Sequence, residues 1–267
     1  MRDITVIIPI LIEHITDSEN LKNLKRAVDS VDKAARLYKE GKVSIMVVRP
    51  EDKSVDDPSF GTDLETTFVT NHGATDFCSQ VNCGAKAVGS EYFSILEFDD
   101  YYMDKWFKMF DDYYVTNEDV SVFLPINVVH NIDTGDHEFV NDIVWASSFS
   151  DQIGYIDFGC LENCSMFNLT GGIFKTSDWL GFKPSLKVSF NYEYLLRATN
   201  KKQKVFVVPK EGYHHCIFRQ GSLSQEYVDG ITEEETVEWF KLAKRECLFD
   251  NDRNKTVTVN NKIEKLK

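Results

Sequence analysis

Hydrophobic positions alternate between strand and helix rhythms along the first hundred residues. Ile4 to Ile10 is a β-branched apolar run that ends around Pro9, the pattern of a first strand buried on both faces of a parallel sheet. Asp17 or Ser18 then caps a helix whose apolar positions, Leu21, Leu24, Val28, Val31, Ala35 and Tyr38, keep helical spacing until Gly41. Val43 to Val48 predicts a second strand, so the opening reads as a βαβ unit with ligands expected at the carboxyl ends of its strands. After a polar loop from Lys53 to Thr66, the pattern predicts a strand over Thr67 to Thr70, a helix over Asp76 to Val88 and a strand over Tyr92 to Leu96. A helix follows from Asp104 through Tyr113.

In the second half, Ser121 to Val129 predicts a strand, and the region of low periodicity through Glu162 predicts an insertion with an edge hairpin. Phe190 to Arg197 reads as a helix, and Val205 to Val208, closed by Pro209, as the last sheet strand. Thr232 to Glu235 is a capping box that opens a helix to about Leu248, with Val237, Phe240, Ala243 and Leu248 as its apolar stripe. The polar tail from Asp250 to Lys267 is expected to be mobile.

Composition narrows the class. A chain of 267 residues, 42% apolar and 13% aromatic, buries a sizeable core and forms one large domain or a domain with an appendage. A net charge of -13 argues against broad binding to nucleic acid or anionic membrane, while leaving room for a local basic patch. No apolar run spans a bilayer and no signal-peptide pattern opens the chain, so a cytoplasmic location is expected. The six cysteines are scattered, which predicts free thiols; Cys160 and Cys164 are half a zinc site without a second half.

Candidate chemistry gathers where the strand over Tyr92 to Leu96 ends, at Glu97, Asp99 and Asp100. Carboxylates at the exit of a buried strand repel one another and lose hydration unless a cation or hydrogen-bond donors compensate. A hard divalent cation such as Mg2+ or Mn2+ is the simplest compensation. The competing reading is that these acids cap the following helix.

The run from Asn82 to Asp100 resembles the nucleotide-sugar glycosyltransferases of family 2, whose pattern is N-x-G-x-x-x-A-x-G-E-Y, a strand, then D-x-D-D. Asn82, Gly84, Glu91 and Tyr92 match, and Glu97-Phe98-Asp99-Asp100 falls on the acidic motif, with Glu97 in place of the first Asp and Ser90 in place of a Gly. The resemblance extends from residue 4 to about 225 and implies an α/β, GT-A (Rossmann-like), mostly parallel sheet flanked by helices. Residues 1–225 would form the glycosyltransferase domain, with a nucleotide-binding half to about residue 105 and an acceptor half beyond it. Residues 226–267 would add a C-terminal helix and tail, and that helix is a candidate contact between subunits.

By the same resemblance Asp99 is the foremost metal ligand, and Asp100 and Glu97 support it or touch ribose. The backbone at Pro9 and Ile10 lies beside the base, with Glu13 nearby. Relatives carry an acid that reads uracil after strand two; here the segment is Arg49-Pro50-Glu51-Asp52, so Asp52 by a small shift, or Arg49, takes that role or serves the diphosphate. Asn82 contacts the donor, and Val81 stands where relatives have Arg. Asn168 to Lys175 resembles a Gly-rich turn near donor sugar and acceptor, and Trp145, Phe149, Tyr155 and Phe158 are either a sugar platform or core.

Phe190 to Arg197 resembles the family's E-D-Y-E-L-L-L-R helix, but its catalytic Asp is Asn191 here, and an amide takes no proton from an acceptor hydroxyl. Glu193 or Asp178 then supplies the base, or the enzyme works without one; Glu193 equally reads as an ion-pair partner of Arg197. His214 to Ser222 resembles a closing loop, H-x-x-R-x-G-S, in which Arg219 neutralises the leaving phosphate and His214 or His215 completes the metal shell.

The function so implied is metal-dependent (Mn2+ or Mg2+), inverting transfer of a sugar from a nucleoside-diphosphate sugar, with UDP as its nucleotide, to a hydroxyl acceptor such as a glycan. Two alternatives stand beside it. One is a carbohydrate- or nucleotide-binding relative that lost its base with Asn191. The other is a nucleotidyltransferase, against which Ile10-Leu11-Ile12-Glu13 argues, because a Gly-rich basic loop belongs there.

Overall fold

The computed structural model describes residues 1–132, 134–146, 152–186, 189–217 and 232–249. The strands are β1 Ile4–Pro9, β2 Val43–Pro50, β3 Thr66–Asn71, β4 Tyr92–Ile95, β5 Tyr101–Tyr102, β6 Val120–Asn131, β7 His137–Val140, β8 Ile173–Lys175 and β9 Lys204–Ile217. The helices are α1 Glu13–Thr16, α2 Ser18–Arg36, α3 Phe77–Ala87, α4 Trp106–Tyr114, α5 Phe158–Asn163, α6 Phe190–Asn200 and α7 Glu233–Phe249.

One sheet takes all of these strands, in the order β3-β2-β1-β4-β8-β6-β9-β5, with β7 hairpinned onto β6. β3, β2, β1 and β4 are parallel. β8 runs antiparallel between β4 and β6, and β9 lies parallel to β6. Six strands therefore point the same way and end at one edge of a mixed sheet. That edge is where a doubly wound sheet places its ligands.

Alternation within the strands feeds two cores. Ile4, Val6 and Ile8 pack with Leu24 and Val28 of α2 and Phe107 and Phe110 of α4 on one face. Ile7 and Val48 pack with Val81 of α3, Leu161 of α5, Leu195 of α6 and Ala243 of α7 on the other. Asp17 caps α2 through the amides of Glu19 and Asn20, and Asp76 caps α3 through that of Ser79. The capping box forms, with the Thr232 amide donating to Glu235 and the Glu235 amide donating back to the Thr232 hydroxyl. α7 lies against α6, where Phe240 meets Tyr192 at 5.4 Å between rings.

The last strand departs from expectation. Pro209 does not close it; β9 runs on to Ile217, and register shifts opposite Leu124 to Asn127 absorb the proline, which lacks an amide to donate. Gly212 keeps the strand against β6 and α4, because a Cβ there would sit 2.4 Å from the Trp106 ring. Trp145 and Tyr155 pack on Phe206 and belong to the core, while Phe158 is exposed. Phe149 and the tail beyond Phe249 lie outside the described residues. Among the described residues no helix is long and apolar enough to cross a membrane.

Candidate functional site

At the carboxyl edge β4 hands over to Leu96, whose amide still bonds to Ile7 of β1. The chain turns through Glu97 to Asp100 and returns as β5, which zips antiparallel onto Tyr213 and His214 of β9. This pins the acidic turn against the far half of β9. The Asp100 carboxylate, 1% exposed, accepts from the Tyr213 hydroxyl at 2.7 Å, His215 Nδ1 at 2.8 Å and the Cys216 amide at 2.8 Å. The Glu97 amide donates to the Tyr213 hydroxyl at 3.1 Å, and Glu97 Oε1 stands 3.8 Å from His215 Nδ1.

Electrostatics at this cluster are those of crowded acids. Burial, together with the charges of Asp100 and Asp99, pushes the Glu97 carboxyl up to about 8, against the pull of His215. Burial opposes charge on His215, yet Asp100, Glu97 and Asp99 outweigh it and raise the imidazole to about 10. The ring is therefore cationic, and Nδ1–H is the donor to Asp100. Tyr213 is held well above its usual value by burial and the adjacent carboxylates, so it stays a phenol and donates.

Ligand atoms of Glu97, Asp100 and His215 lie within 4.8 Å of one another. Two carboxylates and one imidazole make a mixed oxygen and nitrogen donor set of the kind a divalent cation takes. The acids do not cap α4, whose N-cap is Lys105 with no side-chain cap bond.

The remaining sequence candidates divide by location. Asp99 is buried beside the cluster but outside the three-residue set, and its carbonyl accepts from Arg26. Pro9 and Ile10 are at the same edge, where the Ile10 amide bonds to Val48. Arg49 is occupied in its own loop, bonding Asp57 at 2.7 Å and the Asp52 carbonyl at 3.2 Å, while the Asp52 carboxylate accepts from Ser54. Asn82 pairs through both amide atoms with the backbone of Phe182, at 2.8 Å each.

Glu193 is fully buried, with Arg197 forked onto it at 2.8 and 2.9 Å and Lys183 at 3.2 Å. Asp178 accepts from Ser121 at 2.7 Å. It follows β8, whose Lys175 sits opposite Tyr92, and so lies at the amino edge of the sheet, across from the acid cluster. Asn191 stands in the first turn of α6, where Phe190 packs on Phe77 at the start of α3, and so lies toward the carboxyl edge. Arg219 lies outside the described residues.

Several partners of the cluster escaped the sequence reading. Tyr213 and Cys216 are supplied by the continuation of β9, and alternation through Tyr213-His214-His215-Cys216 was the available signal. His214 turns to the other side and stacks on Tyr101, 4.6 Å between rings. His14 of α1 stacks on Phe98 at 3.5 Å, an 84-residue separation that no local pattern announces.

No family model matches the chain, and no curated protein matches it. Solved structures do. S. aureus TarS aligns at 15% identity and TM-score 0.54 over 80% of this chain. TarS 1–349 in complex with UDP gives 15% identity and 0.54 over 81%, and in complex with UDP-GlcNAc 15% and 0.61 over 91%. The chain spans 37% of the first of these structures, 61% of the second and 65% of the third. At this identity the likeness is one of fold, a glycosyltransferase-like α/β fold.

Proposed function

We propose that this chain transfers a sugar from a UDP-sugar to a hydroxyl acceptor with the help of a divalent cation, as a relative of the family 2 glycosyltransferases. The observation that carries the reading is the Glu97–Asp100–His215 cluster at the carboxyl edge of a fold shared with a protein solved with UDP and UDP-GlcNAc.

Asp100 and Glu97 would offer oxygens, and His215 a nitrogen once its proton leaves, to Mn2+ or Mg2+. Bound there, the cation supplies charge stabilisation for the departing diphosphate. Tyr213 and the Cys216 amide orient Asp100 for that task, as partners of metal ligands do elsewhere. Pro9 and Ile10 line the same edge and would carry the base; residues to about 105 then serve the nucleotide and those beyond it the acceptor.

A thermal-shift panel of UDP-, GDP-, CDP- and dTDP-sugars, with Mn2+ or EDTA, tests the reading on wild type and Asp100→Asn. A UDP-sugar is expected to stabilise the wild type in Mn2+ alone, and the effect is lost in the variant. No stabilisation by any donor would sink the proposal. A second reading, a binding relative without turnover, is favoured by the sealed ion pair at Glu193 and by Asp178 lying at the opposite edge. Metal-dependent donor hydrolysis by the wild type would eliminate it.

A further inference from the structure

We infer that a cleft between α2 and the start of α4 is a binding site for a phosphate-bearing ligand, separate from the sugar-transfer site. The cleft is open to solvent and offers about 760 Å³. Lys22, Lys25, Arg26 and Lys33, on one face of α2, and Lys105, just before α4, line it. Against these five cations stand two lining acids, Asp29 and Asp104, and Glu19, which pairs with Lys22, so two positive charges remain unbalanced in a chain whose net charge is -13.

Three of the five cations are not used up by neighbours. Lys22 pairs with Glu19 at 3.0 Å, but Lys25, Lys33 and Lys105 have no ion-pair partner among the described residues. Arg26 is different, because it is already fixed. Its guanidinium lies 5.2 Å from the centre of the Tyr101 ring and donates to the Asp99 carbonyl. One pre-set planar donor surrounded by lysines on flexible stems suits a multiply charged oxyanion that each ammonium meets as a point charge. Tyr101, Met103 and Met109 add an apolar wall that suits the organic part of a phosphate ester.

The two sites lie back to back on one segment. Asp100 turns its carboxylate toward β9, whereas Arg26 approaches the carbonyl of Asp99 from α2. Arg26 also donates to the Cys216 sulfur at 3.9 Å, but neither its contacts nor the cleft lining include Glu97, Asp100 or His215, so a phosphate in the cleft occupies none of the three. The phosphate can come from a soluble ester or from a lipid headgroup, and the experiment separates the two.

Binding is measured in EDTA, so that the acid cluster holds no cation and repels phosphate. Sodium tripolyphosphate is titrated by calorimetry, and vesicles of phosphatidylcholine with and without phosphatidylglycerol are cosedimented. Wild type is compared with combined Lys25→Gln, Lys33→Gln and Lys105→Gln. The control is combined Lys39→Gln, Lys53→Gln and Lys86→Gln, which removes the same charge elsewhere on the surface. All six side chains are exposed, so both variants are expected to melt with the wild type.

The wild type is expected to bind tripolyphosphate or the anionic vesicles, the cleft variant at least about tenfold more weakly, and the control within about twofold. Tripolyphosphate binding identifies a soluble ester, and vesicle binding without it a headgroup. Failure of the wild type to bind either probe, or an equal loss in the control, overturns the inference. Neither result depends on sugar transfer, so the site can fail while the proposed function stands, and the reverse.

Discussion

Asp100 accepts three hydrogen bonds, and its charge adds to burial in raising Glu97 and outweighs burial, with Glu97 and Asp99, in raising His215. Asp100→Asn keeps the shape and removes the charge. Its Mn2+ affinity by calorimetry is expected to fall about tenfold or more, with Asp99→Asn, outside the three-residue set, falling less. The pH dependence follows from the same residues. Glu97 goes from 4.5 to about 8 and His215 from 6.5 to about 10, so between those values the folded chain binds more protons than the unfolded one. These two groups therefore contribute stability below their unfolded values, and it is lost as pH rises through the folded ones. A cation must displace the same protons. The melting temperature gained with Mn2+ over EDTA is expected to grow between about pH 6 and pH 9, with proton release visible as buffer-dependent binding enthalpy. A gain that shrinks with pH would remove Glu97 and His215 as ligands.

One turn holds the cluster without touching a ligand position, and one buried ion pair stabilises the fold apart from it. The turn before β8 places Gly171 at φ 79°, where a Cβ would meet the Tyr213 ring at 2.6 Å. Gly171→Ala is expected to cost about 1–3 kcal/mol and to weaken Mn2+ binding with it, since the displaced phenol is a donor to Asp100. In α6, Glu193→Gln removes the buried charge onto which Arg197 forks and is expected to cost about 3–5 kcal/mol in denaturant unfolding, with Mn2+ affinity unchanged. A variant of normal stability that has lost only turnover would return Glu193 to the role of base. At this scale the sequence was legible where local rules decide. The cap of α2 at Asp17 or Ser18, the capping box at Thr232 and the acids beyond β4 all stood in the pattern. It misled where a long-range partner decides: Pro209 reads as a stop, but β6 alongside carries the strand through it, and with it Tyr213, His215 and Cys216 to Asp100. The spacing of Glu193 and Arg197 fits a surface pair and a buried one alike; burial and the Leu180 and Gly181 carbonyls that accept from Arg197 separate them.

Across the whole molecule, the proposed division into a nucleotide half and an acceptor half is not a division of the core. The core on the α2 side joins Ile4, Val6 and Ile8 of β1 to Phe123 of β6 and Phe206 and Val208 of β9. On the opposite side, Ile7 of β1 and Val48 of β2 share a cluster with Val122, Leu124, Val205 and Val207. β8 bridges β4 to β6 by pairing with both. Neither half can lose its strands without exposing the inner face of the other, so the two should unfold together. Calorimetry in EDTA is expected to show one transition whose measured and van't Hoff enthalpies agree, and Mn2+ to move that transition as a unit. Two transitions, with Mn2+ shifting one alone, would instead mean that the acidic turn belongs to a half that folds by itself. The contacts of Asp100 with β9 would then be a docking between domains rather than part of one core.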